Sequence, residues 1–343
     1  MHRGPKNLIT DVPGLRIGQA HSDRLRSGVT VILPDGGARG ACDIRGGGPG
    51  TRETETMADW GTVNEVHAIT LSGGSALGLD AATGVQSYLR EKGIGFAIGP
   101  ATVPIVPQAI LFDLINGGDK DWGRHPPYRD MAYEAASAAS YDFALGSAGA
   151  GYGATVAWRE TGMRMMGGLG SASCVMDDGI TVGALAAVNA AGTVTIGKTP
   201  HFWAAPFEIE GEFGGQGFPP EAPPLSAGLI MKRAAAQSTT LAVIATDAAL
   251  AKADLKRLAM MAHTGMARAI QPVHSPLDGD IVFAISTGDK RLEGGPVGLA
   301  LLGAVAANTL ARAIARGVYE AGAPGVASDF PAYRGAFART DAG

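Results

Sequence analysis

The stretch AAAQSTTLAVIATDAAL, residues 234–250, decides how the chain is read. Thr240, Leu241, Ala242, Val243, Ile244 and Ala245 have the length and β-branched content of a short buried strand, and helix-forming alanines lead into it. Ser238 and Thr239 stand directly in front. A hydroxyl residue at the first position of a strand has an ordinary explanation, since Ser and Thr are common where strands begin. It also has a chemical one. Attack by the Thr239 hydroxyl on the Ser238 carbonyl, followed by ester hydrolysis, would leave Thr239 as a new N-terminus. Its own α-amine, with an ordinary pKa of about 7.7–8, would then serve as general base. Such a nucleophile needs no histidine.

Outward from this stretch, the 51 glycines punctuate segments of two kinds. GVTVILPD, HAITLSGG, GITVGALAAVNAAGTVTIG and DIVFAIST are strand-like. LGLDAATGVQSYLREKG, the region around YRDMAYEAASAAS, ADLKRLAMMAHTGMARAI and the C-terminal segment are helix-like. In the third of these Leu255, Leu258, Ala259, Ala262 and Met266 recur at helical spacing and make one apolar face. The order lacks a regular βαβ period, which favours sheets covered by helices over a doubly wound fold. EIEGEFGGQGFPPEAPPLSAG, residues 208–228, reads as a loop.

The chain has 343 residues, a formal net charge of −4, and only 17% charged residues, enough for one large domain or two ordinary ones. Without a Lys/Arg run there is no electrostatic footprint for nucleic acid. The N-terminus lacks a signal-peptide core, so a cytoplasmic location is expected. Cys42 and Cys174 lack metal-ligand spacing and read as reduced, packed thiols. GPVGLALLGAVAANTLARAIARGVYE reads as a buried Ala-rich helix rather than a membrane span, because Asn308, Arg312 and many small residues interrupt it.

Several other sites invite a functional reading. LSGGSALGLDAA, residues 71–82, fits no phosphate-binding or nucleophile-elbow pattern and is expected to be tight helix-on-strand packing. DIRGGGPGTRETE offers an anion-binding turn through Arg45 and Arg52, a weak signal standing alone. The seven histidines form no ligand pair, and His274 in QPVHSPLDGD reads as structural or surface. Asn189 closes the apolar run GALAAVNAAG, where an amide can point into a cleft. Asp278 and Asp280 flank Gly279 just before a strand; an isolated DGD turn lacks the other ligands of a calcium site. A Thr nucleophile would need such parts, an oxyanion donor and an acidic partner for its amine.

These residues together resemble the L-aminopeptidase/D-esterase (DmpA-type) family, which also holds β-peptidyl aminopeptidases and endo-type nylon-oligomer hydrolases. The resemblance runs through ITDVPGLRIGQAHSD, VTVILPDGG, DIRGGGPGTRET, HAITLSGGSALGLDAATGV, VPIVPQAILFDL, GSAGAGYGATV, GGLGSAS, TTLAVIATDAAL and DGDIVFAIST. It implies an N-terminal-nucleophile-like αββα sandwich, a single domain over 1–343, self-cleaved into a long chain 1–238 and a short chain 239–343. It places Thr239 at the nucleophile, Asn189 at the oxyanion-stabilising asparagine, and Asp278 and Asp280 at the acidic pair. The Asp-Gly-Asp form leans toward the nylon-oligomer branch. Two positions depart from the pattern. Ser238 precedes the cut where Asn or Gly is more usual. Trp158 stands where many members have a lysine, which leaves Arg159 as the nearest cation in sequence. Trp158 and Tyr152 are candidates for the substrate pocket.

The function expected is an autoprocessed amidohydrolase or aminopeptidase that cleaves a small peptide, β-peptide or oligoamide through a Thr239 acyl-enzyme. No metal or organic cofactor is required, no nucleic acid or membrane partner is expected, and the resemblance suggests a homo-oligomer, a tetramer. Two alternatives stand beside it: an acyltransferase of ornithine-acetyltransferase type with the same nucleophile, and a non-catalytic ligand-binding or assembly protein.

Overall fold

The computed structural model describes residues 1–233, 237–322, 325–326 and 328–337. The alanine linker at 234–236 lies outside the described residues. In chain order the strands are β1 (Leu15–Ser22), β2 (Ser27–Pro34), β3 (Ala38–Ile44), β4 (Thr51–Arg52), β5 (Glu65–Val66), β6 (Ile69–Ser72), β7 (Phe96–Ile98), β8 (Ala101–Val103), β9 (Gln108–Ile110), β10 (Thr155–Trp158), β11 (Glu160–Met166), β12 (Gly168–Val175), β13 (Thr181–Asn189), β14 (Thr239–Ala248) and β15 (Ile281–Lys290). The helices are α1 (Ala81–Glu91), α2 (Tyr128–Ser137), α3 (Lys252–Ala269), α4 (Gly295–Tyr319) and the short α5 (Tyr333–Ala336).

Two sheets stack face to face. One has the order β1-β2-β6-β9-β4, the other β12-β13-β14-β15-β3-β5. β14 shows why both are sandwiched. Its alternate residues Leu241, Val243 and Ala245 enter the core between the sheets, while Ala242, Ile244 and Ala248 enter the core under α3 and α4. All ten of its residues are buried. A strand covered on both faces reads as a continuous apolar run rather than an alternating one. On the other sheet Ile32 faces inward, and Val29, Val31 and Leu33 pack under α1 and α2. The layers are therefore α, β, β, α, as expected.

α4 is long and apolar enough to cross a membrane by composition, yet 61% of its most apolar window is buried within the protein. Leu302, Ala306, Leu310 and Ile314 lie in the core beside α3. Its Arg312 is also buried, paired with Glu212 and bonded to Asn7 Oδ1 and the Ser173 carbonyl.

The register of the second sheet builds the site. β13 and β14 run antiparallel and pair Asn189 with Thr239. β14 and β15 run parallel through the α3 crossover, with Leu241 opposite Ile281. The same parallel register continues one step beyond the strands, where Ser238 bridges to Asp278. Residues distant in sequence, Asn189 and the DGD turn near 280 among them, thus meet at one end of three adjacent strands.

Candidate active site

Thr239 is the first residue of β14 and is only 3% exposed. Its Oγ1 donates to the carbonyl oxygen of Ser238 at 2.6 Å. The Gly279 N–H donates to that same oxygen at 2.9 Å. One peptide carbonyl is thus approached by a hydroxyl from its own chain and by an amide from the DGD turn. Gly279 is a glycine for a steric reason. A Cβ there would come within 2.7 Å of both Thr239 Oγ1 and the Gly48 carbonyl oxygen.

The two aspartates are both 1% exposed, and their bonds differ. Asp278 Oδ1 accepts from the Ala191 N–H at 3.0 Å, and Oδ2 accepts from the Ser275 N–H at 3.0 Å and hydroxyl at 2.5 Å. Burial and then the neighbouring Asp280 charge push the Asp278 carboxyl above its ordinary value. Asp280 Oδ1 accepts from the Thr240 N–H at 2.7 Å, so this carboxylate sits against the amide that immediately follows Thr239. Asp280 Oδ2 meets His274, through the backbone N–H at 3.1 Å and ring Nδ1 at 2.8 Å. The sequence reading of His274 as a structural or surface residue misses this contact. Nothing local in QPVHSPLDGD marks it, because the ring reaches Asp280 only when the turn folds back.

Asn189, 1% exposed, is held by both ends of its amide. Oδ1 accepts from the Thr155 N–H at 3.0 Å and from Lys232 Nζ at 3.1 Å, and Nδ2 donates to the Phe112 carbonyl at 2.9 Å. Lys232 was not among the residues singled out in the sequence. Its backbone N–H bonds the Ala191 carbonyl, and its Nζ also lies 3.2 Å from Ser238 Oγ. Burial first, and then the Arg164 charge, push this amine well below the ordinary lysine value, with Asp278 opposing. The amine at the site therefore comes from the segment ahead of β14. Arg159 stacks over Trp158 at 4.1 Å and bonds the Ala336 carbonyl. Trp158 lies in the helix-side core, edge-on to Phe337, and Tyr152 stacks on His21 while its hydroxyl donates to Asp23.

The glycine run before β4 supports the turn. Gly46 and Gly48 donate N–H bonds to the carbonyls of Asp280 and Asp278, and a Cβ on Gly46 would lie 2.3 Å from Asp280 N. Arg45 is tied to Asp43, and Arg52 to the Leu79 carbonyl, Thr83 and Gln86. Both arginines the sequence offered for an anion are thus engaged within the protein. Gly78 fits the packing expected of residues 71–82, since a Cβ there would lie 1.8 Å from the Gly73 carbonyl oxygen.

In the intact chain the reacting groups are sealed. A small cleft bordered by Asp113, Asn116, Thr155, Arg164, Lys232 and Gln237 approaches them. A roomier cavity of about 730 Å³ lies under the Pro-rich loop at Pro219–Pro224, and none of Thr239, Asn189, Asp278 or Asp280 lines it.

Two stacked sheets between helix layers, with a hydroxyl residue leading a central strand, define the N-terminal-nucleophile hydrolase class of fold. Solved structures of this fold superimpose over nearly the whole chain. The L-aminopeptidase D-Ala-esterase/amidase of Ochrobactrum anthropi matches with a TM-score of 0.68 at 21% identity, covering 94% of this chain and 90% of that one. The beta-aminopeptidase of a Burkholderia species matches at 0.67 and 23%, covering 94% and 88%. Residues 7–327 match the model of peptidase family S58, and the chain belongs to that family. It is a hydrolase of amide or peptide bonds. Among its relatives are an uncharacterized aminopeptidase of Mycobacterium tuberculosis, 43% identical over 92% of this chain and 94% of the relative, and a 6-aminohexanoate-oligomer endohydrolase of Paenarthrobacter ureafaciens, 30% identical over 90% and 84%.

Proposed function

We propose that the chain is a self-processing amidohydrolase in which Thr239 is the nucleophile for its own maturation and then for substrate. The observation that carries this reading is the doubly approached Ser238 carbonyl, with Thr239 Oγ1 at 2.6 Å and the Gly279 N–H at 2.9 Å from its oxygen. In the first step Oγ1 adds to the Ser238 carbonyl carbon and loses its proton, while the Gly279 N–H stabilises the developing oxyanion. Collapse breaks the C–N bond, the Thr239 nitrogen takes a proton, and an ester links residues 238 and 239. Water hydrolyses the ester. The products are a carboxylate on Ser238 and a free α-amine on Thr239, giving chains 1–238 and 239–343.

In the mature enzyme the freed amine takes the hydroxyl proton as Thr239 attacks a substrate amide, and the acyl group leaves by hydrolysis. Asp280 orients the amine from its position on the neighbouring N–H, and Asp278 braces the turn. Asn189 Nδ2 has two N–H donors, of which the Phe112 carbonyl takes one, leaving the other for a substrate oxyanion. The substrate proposed is a small peptide, β-peptide or oligoamide, in keeping with the aminopeptidase and oligomer endohydrolase among the relatives. Single-domain organisation over 1–343 and assembly into a homo-oligomer belong to the same reading.

Intact-mass analysis under denaturing conditions tests it. The purified protein should separate into 1–238 and 239–343, and Thr239→Ala should stay one chain without amidase activity. A fragment that begins at Ser238 moves the nucleophile by one residue, and an active full-length chain rejects self-processing.

A further inference from the structure

The contacts of Asp280 continue beyond the site. His274 Nδ1 faces Asp280 Oδ2 at 2.8 Å, and the far ring nitrogen, Nε2, lies 3.2 Å from Nδ1 of His263 on α3. His263 is 3% exposed, and its Nε2 lies 2.9 Å from the Asp43 carbonyl oxygen. This is a row of three hydrogen bonds, Asp280 to His274, His274 to His263, and His263 to Asp43.

The protons in the row can be counted. Its ends are acceptors, a carboxylate and a carbonyl, and each of the three contacts needs one hydrogen. Two neutral imidazoles carry one N–H each. The third contact therefore requires one proton more. It does not reside on His263, whose ring is pushed down to about 4, chiefly by burial. It lies between Asp280 and His274.

We propose that Asp280 meets Thr239 as half of a hydrogen-bonded pair with His274 that holds this extra proton, and that His274 is a positioning residue whose charge keeps the freed Thr239 amine from being trapped as an ammonium. The inference rests on Thr239 being the N-terminal nucleophile. A bare carboxylate beside the amine would favour its charged form and remove the base. A carboxylate already matched by an imidazolium orients the amine without that cost.

The other charged groups around the row leave this balance in place. Asp278, in the same turn, is pushed toward its neutral form and faces Lys232. At the far end, Arg45 and Lys256 each lie 2.6 Å from an Asp43 carboxylate oxygen. The Asp43 carboxylate also lies 3.5 Å from His263 Nε2, and as a further acceptor it does not change the count.

The count is tested on the uncut Thr239→Ala chain, with histidine-specific 15N labelling. In the folded chain one ring should carry a proton on both nitrogens, coupled to a neutral His263. Two neutral rings at these positions overturn the proposal. The consequence is tested on mature enzyme with His274→Asn, which keeps an amide donor for Asp280 and removes the charge. The acidic limb of kcat/KM, where the amine sheds its proton, should move up by roughly one pH unit. A fall in kcat with an unmoved limb would mean a structural role only and overturns it. Should His274→Asn not fold, the ring count on Thr239→Ala still decides. Failure of the Thr239 reading shows separately, as the absence of a Thr239 N-terminus by mass, and leaves the proton count untouched.

Discussion

Two clusters of buried charge lie against the same six-stranded sheet and behave in opposite ways. In one, Arg312 bonds both oxygens of Glu212, and Oε2 also accepts from the Asn7 amide and lies 3.7 Å from Arg316 Nε. Burial alone would raise the Glu212 carboxyl, yet the bonds and charge of Arg312 win and hold it below the ordinary range. In the other, two aspartates flank Gly279 in one turn, and their carboxylates bond Ala191, Ser275, Thr240 and His274 rather than arginines. Asp278 is driven up and Lys232 well down. The first cluster is ionised and matched, as a structural pair must be to survive burial. The second is pushed toward neutrality, the condition in which groups can exchange protons near neutral pH. Burial is common to both, and the sign of the neighbours separates them.

The largest effect expected from this contrast is on stability. Arg312→Met leaves Glu212 buried without its partner and should cost about 3–5 kcal/mol in denaturant unfolding. A loss below about 1 kcal/mol would mean the pair is not the ionised anchor described. The same cluster sets a pH dependence. Because Glu212 is depressed in the folded state, its contribution is present above its unfolded value of about 4.3 and is lost as pH falls through the folded value. Arg312→Met should flatten this acid limb of the stability curve.

The next effects are on the proposed chemistry. In already matured protein, Asp280→Asn should lower turnover by roughly 10², the usual scale for lost acid–base assistance, and an unchanged rate would make the DGD turn structural. Asp278→Asn should cost less, since its oxygens brace Ala191 and Ser275 and do not contact the Thr240 amide. The smallest effect on stability is expected at Lys232. Burial pushes this amine toward its neutral form, so Lys232→Met strands little charge and should stay within about 1 kcal/mol of the parent, while self-cleavage, followed by mass against time, slows. A stability loss as large as that of Arg312→Met would put Lys232 in the structural class and erase the contrast.

Much of this was readable from residue order. The run Thr240–Ala245 reads as a buried strand because both of its faces are apolar, and α3 shows its single face through Leu255, Leu258 and Met266. Thr239, Asn189, Asp278 and Asp280 stand out at strand ends, and the sheet register brings them together. Lys232 did not stand out, and His274 read as a structural or surface residue. The lysine lies in a segment without periodicity, and the substitution of Trp158 for the family lysine drew attention to Arg159, whose guanidinium instead stacks on that indole.

The sequence by itself determined that sheets are covered by helices and which strand carries the threonine, because apolar periodicity and turn residues act over a few neighbours along the chain; the αββα order was implied by the family resemblance. Only the tertiary structure decided which polar groups share a buried volume: Gly279 on the Ser238 carbonyl, Lys232 on Asn189, and the two histidines behind Asp280. Those contacts follow from strand register and the α3 crossover. Their protonation follows from the charges that register brings within reach, a quantity no local stretch of sequence contains.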